Sequence, residues 1–94
     1  MKIIWTKLAL SDLDAAYYYI FEAYSDAARS VIERVENILE SLRQQPEMGR
    51  LGRVEGTREL VMPSLPFIIL YRIKKKEIHI LAFLHASRRW PETL

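Results

Sequence analysis

The sequence predicts an α+β fold with the element order β-α-α-β-β-β, in which a helical hairpin packs on one face of a small, mainly antiparallel sheet. Two patterns predict it: apolar residues recur every three or four positions from 7 to 45, and short β-prone runs fill 57–85. The 94 residues, 50% hydrophobic and 28% charged, fit one globular domain over residues 1–94. Such a chain buries only about 60–65% of its unfolded surface, so a deep enclosed active site is not expected.

The first strand and the first helix are predicted at the start of the chain. KIIW, residues 2–5, is a short β-prone run, and Thr6 directly after it suits a helix N-cap. An amphipathic helix is predicted over residues 7–24, because large apolar side chains recur there at helical spacing, namely Leu10, Leu13, Tyr17, Ile20 and Tyr24.

A second helix is predicted after a tight connection. Ser25 is its expected N-cap, Asp26 suits its first turn, and Pro46 ends it near Gln45. Its apolar stripe consists of Ala28, Val31, Ile32, Val35, Ile38, Leu39 and Leu42. The two helices then form an antiparallel hairpin. Its outer face carries carboxylates that we expect to be solvated: Asp12, Asp14, Glu22, Glu33, Glu36 and Glu40.

A glycine-containing segment separates the helices from the remaining strands. Residues 46–56, PEMGRLGRVEG, hold all three glycines and predict an irregular loop, and they do not match the phosphate-binding pattern GxxxxGK[ST]. Strands are predicted at 57–62, 66–74 and 77–85, with Lys75 and Lys76 as the two-residue tip between the last two.

The hairpin with this tip predicts a sheet that is apolar on both faces. Lys74 would face Glu77, and the further facing pairs are Arg72–His79, Leu70–Leu81 and Ile68–Phe83. The helices should cover Ile69, Tyr71, Ile73, Ile78, Ile80, Ala82 and Leu84. The opposite face carries Ile68, Leu70, Leu81 and Phe83, together with Arg72, His79 and His85. Because no third helix is available to cover it, this second face predicts a missing protein partner.

Charge and residue types narrow the class of protein. Residues 1–42 hold four basic and seven acidic side chains, whereas residues 43–90 hold ten basic and four acidic ones, which suggests an anionic partner or substrate at the C-terminal half. There is no cysteine, and the two histidines lack a nearby carboxylate at ligand spacing, so no metal site and no cofactor are predicted. No signal or membrane-spanning segment is evident, and we expect a cytoplasmic protein without membrane contact.

Arginines and a histidine in the C-terminal half are candidates for contacts to phosphate. Guanidinium groups bind phosphates through bidentate bonds, and a histidine can act as acid or base near neutral pH. The candidates are Arg58, Arg72, His85, Arg88 and Arg89. Alternatives stay open for several of these residues. Arg72 could be a strand residue reaching to solvent, Arg58 could pair with Glu55 or Glu59, and His79 could simply neighbour Arg72. Trp90 could stack on a base or fix the tail to the core.

The whole pattern resembles the RelE/ParE superfamily of toxins from bacterial type II toxin–antitoxin systems. The similarity rests on the element order and on PEMGR, GTREL, PFIILYRI and ILAFLHASRRWP, and it runs over nearly the whole chain. It implies a small curved sheet backed by a helical hairpin, and a cognate antitoxin whose C-terminal segment wraps around the toxin. That antitoxin would cover Ile68, Leu70, Leu81 and Phe83. Operator DNA would be bound only through the antitoxin.

The resemblance implies two alternative targets. ParE-like members inhibit DNA gyrase by binding and end in a motif similar to HxxRxW, which His85, Arg88 and Trp90 match. With Arg58, Arg72 and Arg89, these residues would form the target-binding set. RelE-like members instead cleave messenger RNA on the ribosome, and Arg58, Arg72 and His85 would then be catalytic. The C-terminal tyrosine typical of many such ribonucleases has no counterpart here, since the last tyrosine is Tyr71. The sequence therefore favours the gyrase inhibitor. A toxin that has lost its activity and only binds the antitoxin is a third alternative.

Overall fold

The computed structural model describes residues 1–86 as a five-stranded sheet with two α-helices. A short 3-10 helix, Ser25–Ala27, joins the two α-helices. In chain order the elements are β1 (Lys2–Trp5), α1 (Lys7–Tyr24), α2 (Ala28–Gln44), β2 (Arg50–Leu51), β3 (Arg58–Val61), β4 (Phe67–Lys74) and β5 (Glu77–His85).

The sheet is mixed and its strand order is β1-β5-β4-β3-β2. The first strand pairs with β5 in parallel, and the other neighbours pair antiparallel. This confirms the predicted α+β class and the order β-α-α-β-β-β. One element was not predicted: β2 lies inside the segment 46–56, where the sequence predicted only an irregular loop. Two residues are too few to give an alternation pattern, so the pairing of β2 with β3 creates this strand.

The first helix begins as predicted but presents smaller residues to the core. Thr6 Oγ1 accepts a hydrogen bond from the Ala9 amide at 3.2 Å and donates to the Ile80 carbonyl at 2.9 Å, so it caps α1 and ties it to β5. Ala9, Ala16 and Ile20 are buried, whereas Leu10 is 48% exposed and lies outside the core, contrary to the prediction. Alanines allow the helix to approach the sheet closely, which a search for large apolar side chains does not detect.

The second helix begins two residues later than predicted, at Ala28 and not at Asp26. Ser25 does not cap α2, because it opens the 3-10 helix with φ 31°, and the Ala28 amide bonds the Ser25 backbone carbonyl instead. The predicted apolar stripe is confirmed. Its buried members are Ala28, Val31, Val35 and Leu42, and Ile32, Ile38 and Leu39 pack partly buried against them. The facing side of the sheet contributes Ile69, Tyr71, Ile78 and Ile80, all fully buried.

A β-bulge divides the hairpin of β4 and β5. From the tip to the pair Tyr71–Ile80 the predicted register is confirmed, but it shifts between Leu70 and Tyr71, leaving Leu81 as the extra residue on β5. Beyond the bulge the pairs are Leu70–Ala82, Ile69–Phe83, Ile68–Leu84 and Phe67–His85. The predicted pairs Leu70–Leu81 and Ile68–Phe83 are therefore wrong.

The bulge also exchanges the faces at the end of β5. Phe83 and His85 lie on the face that the helices cover, opposite to the prediction, and Phe83 packs in the core with ring centroids 5.4 Å from Phe67 and 6.4 Å from Trp5. Ala82 and Leu84 correspondingly turn to the other face. One extra residue reverses the alternation of every side chain that follows it.

The sheet face opposite the helices, called the outer face below, remains largely apolar. It carries Ile68, Leu70, Leu81, Ala82 and Leu84. Leu70 and Ala82 are buried, and the other three are half-buried. Within residues 1–86, neither helix combines the length and apolarity that crossing a membrane requires.

Candidate functional site

Arg58 lies on β3 opposite Tyr71, on the helix-covered face, and holds the segment before β2 in place. Its guanidinium Nη1 donates to the Gly49 carbonyl at 2.7 Å and to the Glu47 carbonyl at 3.2 Å. Arg58 does not form the ion pair with Glu59 that was one of the predicted alternatives. The buried Glu59 carboxylate instead accepts a hydrogen bond from Arg50 Nη2 at 3.0 Å. Arg58 is therefore an anchor for this segment.

Tyr71 completes this anchor from within the core, and sequence reasoning missed its role. Its hydroxyl donates to the Pro46 carbonyl at 2.6 Å and accepts from the Gly49 amide at 2.9 Å. Burial raises the pKa of the Tyr71 hydroxyl; the Gly49 bond and Arg58 oppose the rise, and Glu47 adds to it. The signal in the sequence was a tyrosine in the apolar part of β4, because the hydroxyl of a buried tyrosine needs a hydrogen-bond partner.

His85 lies at the end of β5 farthest from the hairpin tip, in an aromatic cleft beside α1. Its ring centroid is 5.0 Å from that of Tyr19 and 5.9 Å from that of Phe67. Asp12 reaches into the same region and accepts the Phe83 amide at 3.0 Å. The cleft measures about 250 Å³, and its remaining lining residues are Ala15, Ala16 and Leu84. It has the size for one large side chain of a partner.

Arg72 lies on the outer face, in a shallow groove of about 380 Å³ beside the hairpin tip. The groove is lined by Arg72, Lys74, Lys75, Glu77, His79 and Leu81, and we call it the tip groove. His79 faces Arg72 across the strands, as predicted, and its Nε2 lies 3.2 Å from Glu77 Oε1. The Nε atom of Arg72 is buried and has no hydrogen-bond partner among residues 1–86.

The structure does not bring Arg58, Arg72 and His85 together. Arg58 pairs with Tyr71 and therefore lies on the same face of the sheet as Tyr71. Arg72 is the next residue on β4, so it lies on the other face. His85 pairs with Phe67, which is four residues from Tyr71 and five from Arg72 along β4. At about 3.3 Å per residue these separations are roughly 13 and 16 Å. The predicted phosphate cluster on one open face is therefore wrong for these three residues.

The other predicted site residues fall into three groups. Arg88, Arg89 and Trp90 lie outside the described residues. Ile68, Leu70 and Leu81 are on the outer face as predicted, although Leu70 is buried, and Phe83 is in the core and not on that face. In the described part of the chain, no three histidine, aspartate or glutamate side chains are grouped so that they could hold a metal ion.

Comparison with known proteins identifies relatives over almost the full chain. A sequence model described as the ParE toxin of the type II toxin–antitoxin system parDE matches residues 3–90. Y4kP of Sinorhizobium fredii, whose name classes it with toxins, is 41% identical over 93 residues, covering 99% of this chain and 96% of its own. Toxin RelE2 of Caulobacter vibrioides is 33% identical over 87 residues, covering 93% and 97%.

A solved structure supports the same relationship. A chain from the chromosomal ParDE toxin–antitoxin system of P. aeruginosa superposes with a TM-score of 0.67 at 30% sequence identity. The similarity covers 90% of this chain and 95% of that one. Sequence and fold therefore agree on the relationship, and the matches are not confined to one element.

Proposed function

The chain belongs to the ParE family of type II toxin–antitoxin toxins, and from this premise we propose that it acts by binding and inhibiting DNA gyrase. Membership in this family implies a cognate antitoxin as its partner. Inhibition of gyrase is typical of ParE toxins. It requires a binding surface on the toxin and no catalytic centre, and the toxin would act in the cytoplasm.

The observation that supports binding over cleavage is the separation of Arg58, Arg72 and His85. Cleavage of RNA by attack of the 2′-hydroxyl on the adjacent phosphate needs a base, an acid and a cation within hydrogen-bond reach of one reacting group. Here the two arginines lie on opposite sheet faces and His85 is at the far end of the hairpin. A single phosphate could not contact all three side chains.

The aromatic cleft is the part of the described surface that best suits a protein target. Tyr19, Phe67 and His85 form its walls, and the carboxylate of Asp12 lies among them. Aromatic walls around a cavity of side-chain size are typical of anchor pockets at protein interfaces. We propose that His85 at this cleft contacts gyrase, together with the predicted contacts of Arg88, Arg89 and Trp90.

Purified toxin should stop gyrase from supercoiling relaxed plasmid or should accumulate gyrase-cleaved DNA, and translated messenger RNA should stay intact. His85→Ala should weaken inhibition, whereas Tyr18→Ala, which removes a 69% exposed ring from α1, should not. Gyrase that is unimpaired at high toxin concentration would refute the proposal. Codon-associated cuts in messenger RNA that disappear with His85→Ala and Arg58→Ala would support the ribonuclease instead.

We also propose that the cognate antitoxin covers the outer face, and that the operator sequence is recognised through the antitoxin alone. Ile68, Leu81 and Leu84 offer half-buried apolar surface there, which a partner could bury completely. Leu81→Glu should weaken antitoxin binding at least about tenfold, because it places a carboxylate in an apolar contact. Leu51→Glu is the matched control, since Leu51 is 78% exposed on β2 at the far sheet edge. Equal affinities of both variants would place the antitoxin elsewhere.

A further inference from the structure

We infer that the hairpin tip and its groove form a site for the phosphodiester backbone of duplex DNA. The first observation is the backbone of the tip. Lys75 and Lys76 have φ values of 53° and 60°, so both occupy the left-handed region. Two-residue hairpin turns of this kind favour Asn-Gly, because L side chains other than Asn and Asp are strained there. The chain holds two lysines at positions where they impair the turn, and such strain marks functional positions.

The second observation is the charge beside the tip. Arg72 and Lys74 line the tip groove together with Lys75. Glu77 lies opposite Lys74 across the two strands and bonds His79, and its negative charge offsets one of these cations. Arg72, Lys75 and Lys76 then remain as the cations available to an anionic ligand.

The third observation is the orphaned nitrogen of Arg72. Its Nε atom is shielded from solvent and bonds no group among the described residues. A buried donor without an acceptor is costly, and a small movement of the Arg72 side chain towards an anion in the groove would give this donor an acceptor. Guanidinium donors in particular match the geometry of phosphate oxygens.

The lining of the groove favours duplex DNA over single-stranded nucleic acid. Single strands are held by aromatic side chains on which the exposed bases stack. The tip groove contains no phenylalanine, tyrosine or tryptophan among its lining residues, and its only large apolar one is Leu81. Cations without stacking surfaces recognise the regularly spaced phosphates of a duplex.

This site extends the proposed function. The biological role of the site rests on the proposed inhibition of gyrase, because gyrase acts on duplex DNA. A toxin held on gyrase by its aromatic cleft would use the tip groove to contact the DNA in the same complex. The two sites lie at opposite ends of β4 and β5 and on opposite sheet faces. They can therefore be disabled separately.

Lys75→Asn/Lys76→Gly tests the site, because it removes two cations and installs the favoured turn sequence. Binding of the full chain to a 20-base-pair duplex would be measured by fluorescence anisotropy from 50 to 200 mM salt, without gyrase. Three phosphate contacts give a slope of about −2.7 in log affinity against log salt, or about a 40-fold loss over this range. One remaining contact gives a slope of about −0.9, or about 3.5-fold. The thermal midpoint of the variant should be unchanged or higher.

Lys7→Gln/Arg29→Gln is the matched control, since it removes two cations from the helices, on the other side of the sheet. Its slope should equal that of the wild type. Arg72→Met should also weaken DNA binding without lowering the thermal midpoint, because it removes the orphaned donor and keeps the volume.

Three results would overturn the inference: no binding by the wild type at 50 mM salt, equal losses in tip and control variants, or tighter binding of single-stranded RNA than of duplex DNA. None of them bears on supercoiling inhibition, so the gyrase proposal fails or survives by its own assay.

Discussion

Replacing Tyr71 by phenylalanine removes one oxygen atom and with it the two hydrogen bonds by which this side chain, together with Arg58, holds residues 46–49 against the sheet. The ring stays in the core, so no cavity forms. The Gly49 amide is left buried without its partner at 2.9 Å, which costs about 1–3 kcal/mol. The Pro46 carbonyl loses its bond of 2.6 Å but is partly accessible, so about 0.5–1.5 kcal/mol is added. We expect a loss of about 2–4 kcal/mol in the free energy of unfolding.

This loss is large for a domain of this size. Small domains have unfolding free energies of about 5–15 kcal/mol, and each kcal/mol lowers the thermal midpoint by about 4–8 °C. Tyr71→Phe should therefore melt at least about 8 °C below the wild type. Tyr18→Phe is the control, because the Tyr18 ring is exposed and should shift the midpoint by less than about 2 °C.

The same hydroxyl predicts a pH dependence with a defined sign. Burial raises the pKa of folded Tyr71 above the value of 10.0 for a free tyrosine. The stability that Tyr71 contributes is therefore complete below about pH 10 and is lost as the pH rises from there through the raised folded pKa. Tyr71→Phe lacks this contribution, so the gap in stability between wild type and variant should narrow above pH 10.

Urea unfolding followed by circular dichroism at pH 8, and thermal melts from pH 8 to 11, would measure both effects. If Tyr71→Phe unfolds within about 0.5 kcal/mol of the wild type at pH 8, the anchoring role of the hydroxyl is refuted. If the gap stays constant above pH 10, the argument from the raised pKa is refuted while the anchor stands.

Three further substitutions test the packing that positions the sites. Gly49→Ala should lose about 1–3 kcal/mol in urea unfolding, because its Cβ would lie 2.7 Å from the Tyr71 hydroxyl and 3.0 Å from the Glu59 carbonyl; wild-type stability would contradict this close approach. Phe83→Ala should lower the free energy of unfolding by about 3–5 kcal/mol, because it truncates a core side chain. A variant of full stability would show that Phe83 is not in the core. Asp12→Ala should cost about 1–3 kcal/mol by leaving the Phe83 amide unpaired, and an unchanged thermal midpoint would show that this bond contributes nothing.

The arrangement of the site residues was the feature of the protein that the sequence predicted least well. Arg58, Arg72 and His85 are all in the C-terminal half and are all chemically suited to phosphate, yet they occupy three separate places. Residue type and chain order state what a side chain can do. The pairing of strands decides which side chains meet. Arg58 illustrates the difference, because its partners are backbone carbonyls that carry no sequence signal.

Local patterns determined much of the fold. The 3.6-residue period gives α1 and α2, the Lys75–Lys76 tip fixes the register from Lys74 to Tyr71, and Thr6 caps the first helix. These features depend on residues that are close in the chain, so their physics can be worked out from the sequence. The same holds for the family resemblance, which rests on the order of the motifs.

Only the tertiary structure decided where the alternation of β5 reverses. ILAFL is apolar at both parities, so burial energy favours neither face, and the sequence permits the regular register as well as the bulged one. Packing of Phe83 against Trp5 and Phe67, together with the bond from its amide to Asp12, is made only in the bulged register. These partners lie far apart in the chain. The balance between two registers of similar local energy is therefore set by long-range contacts.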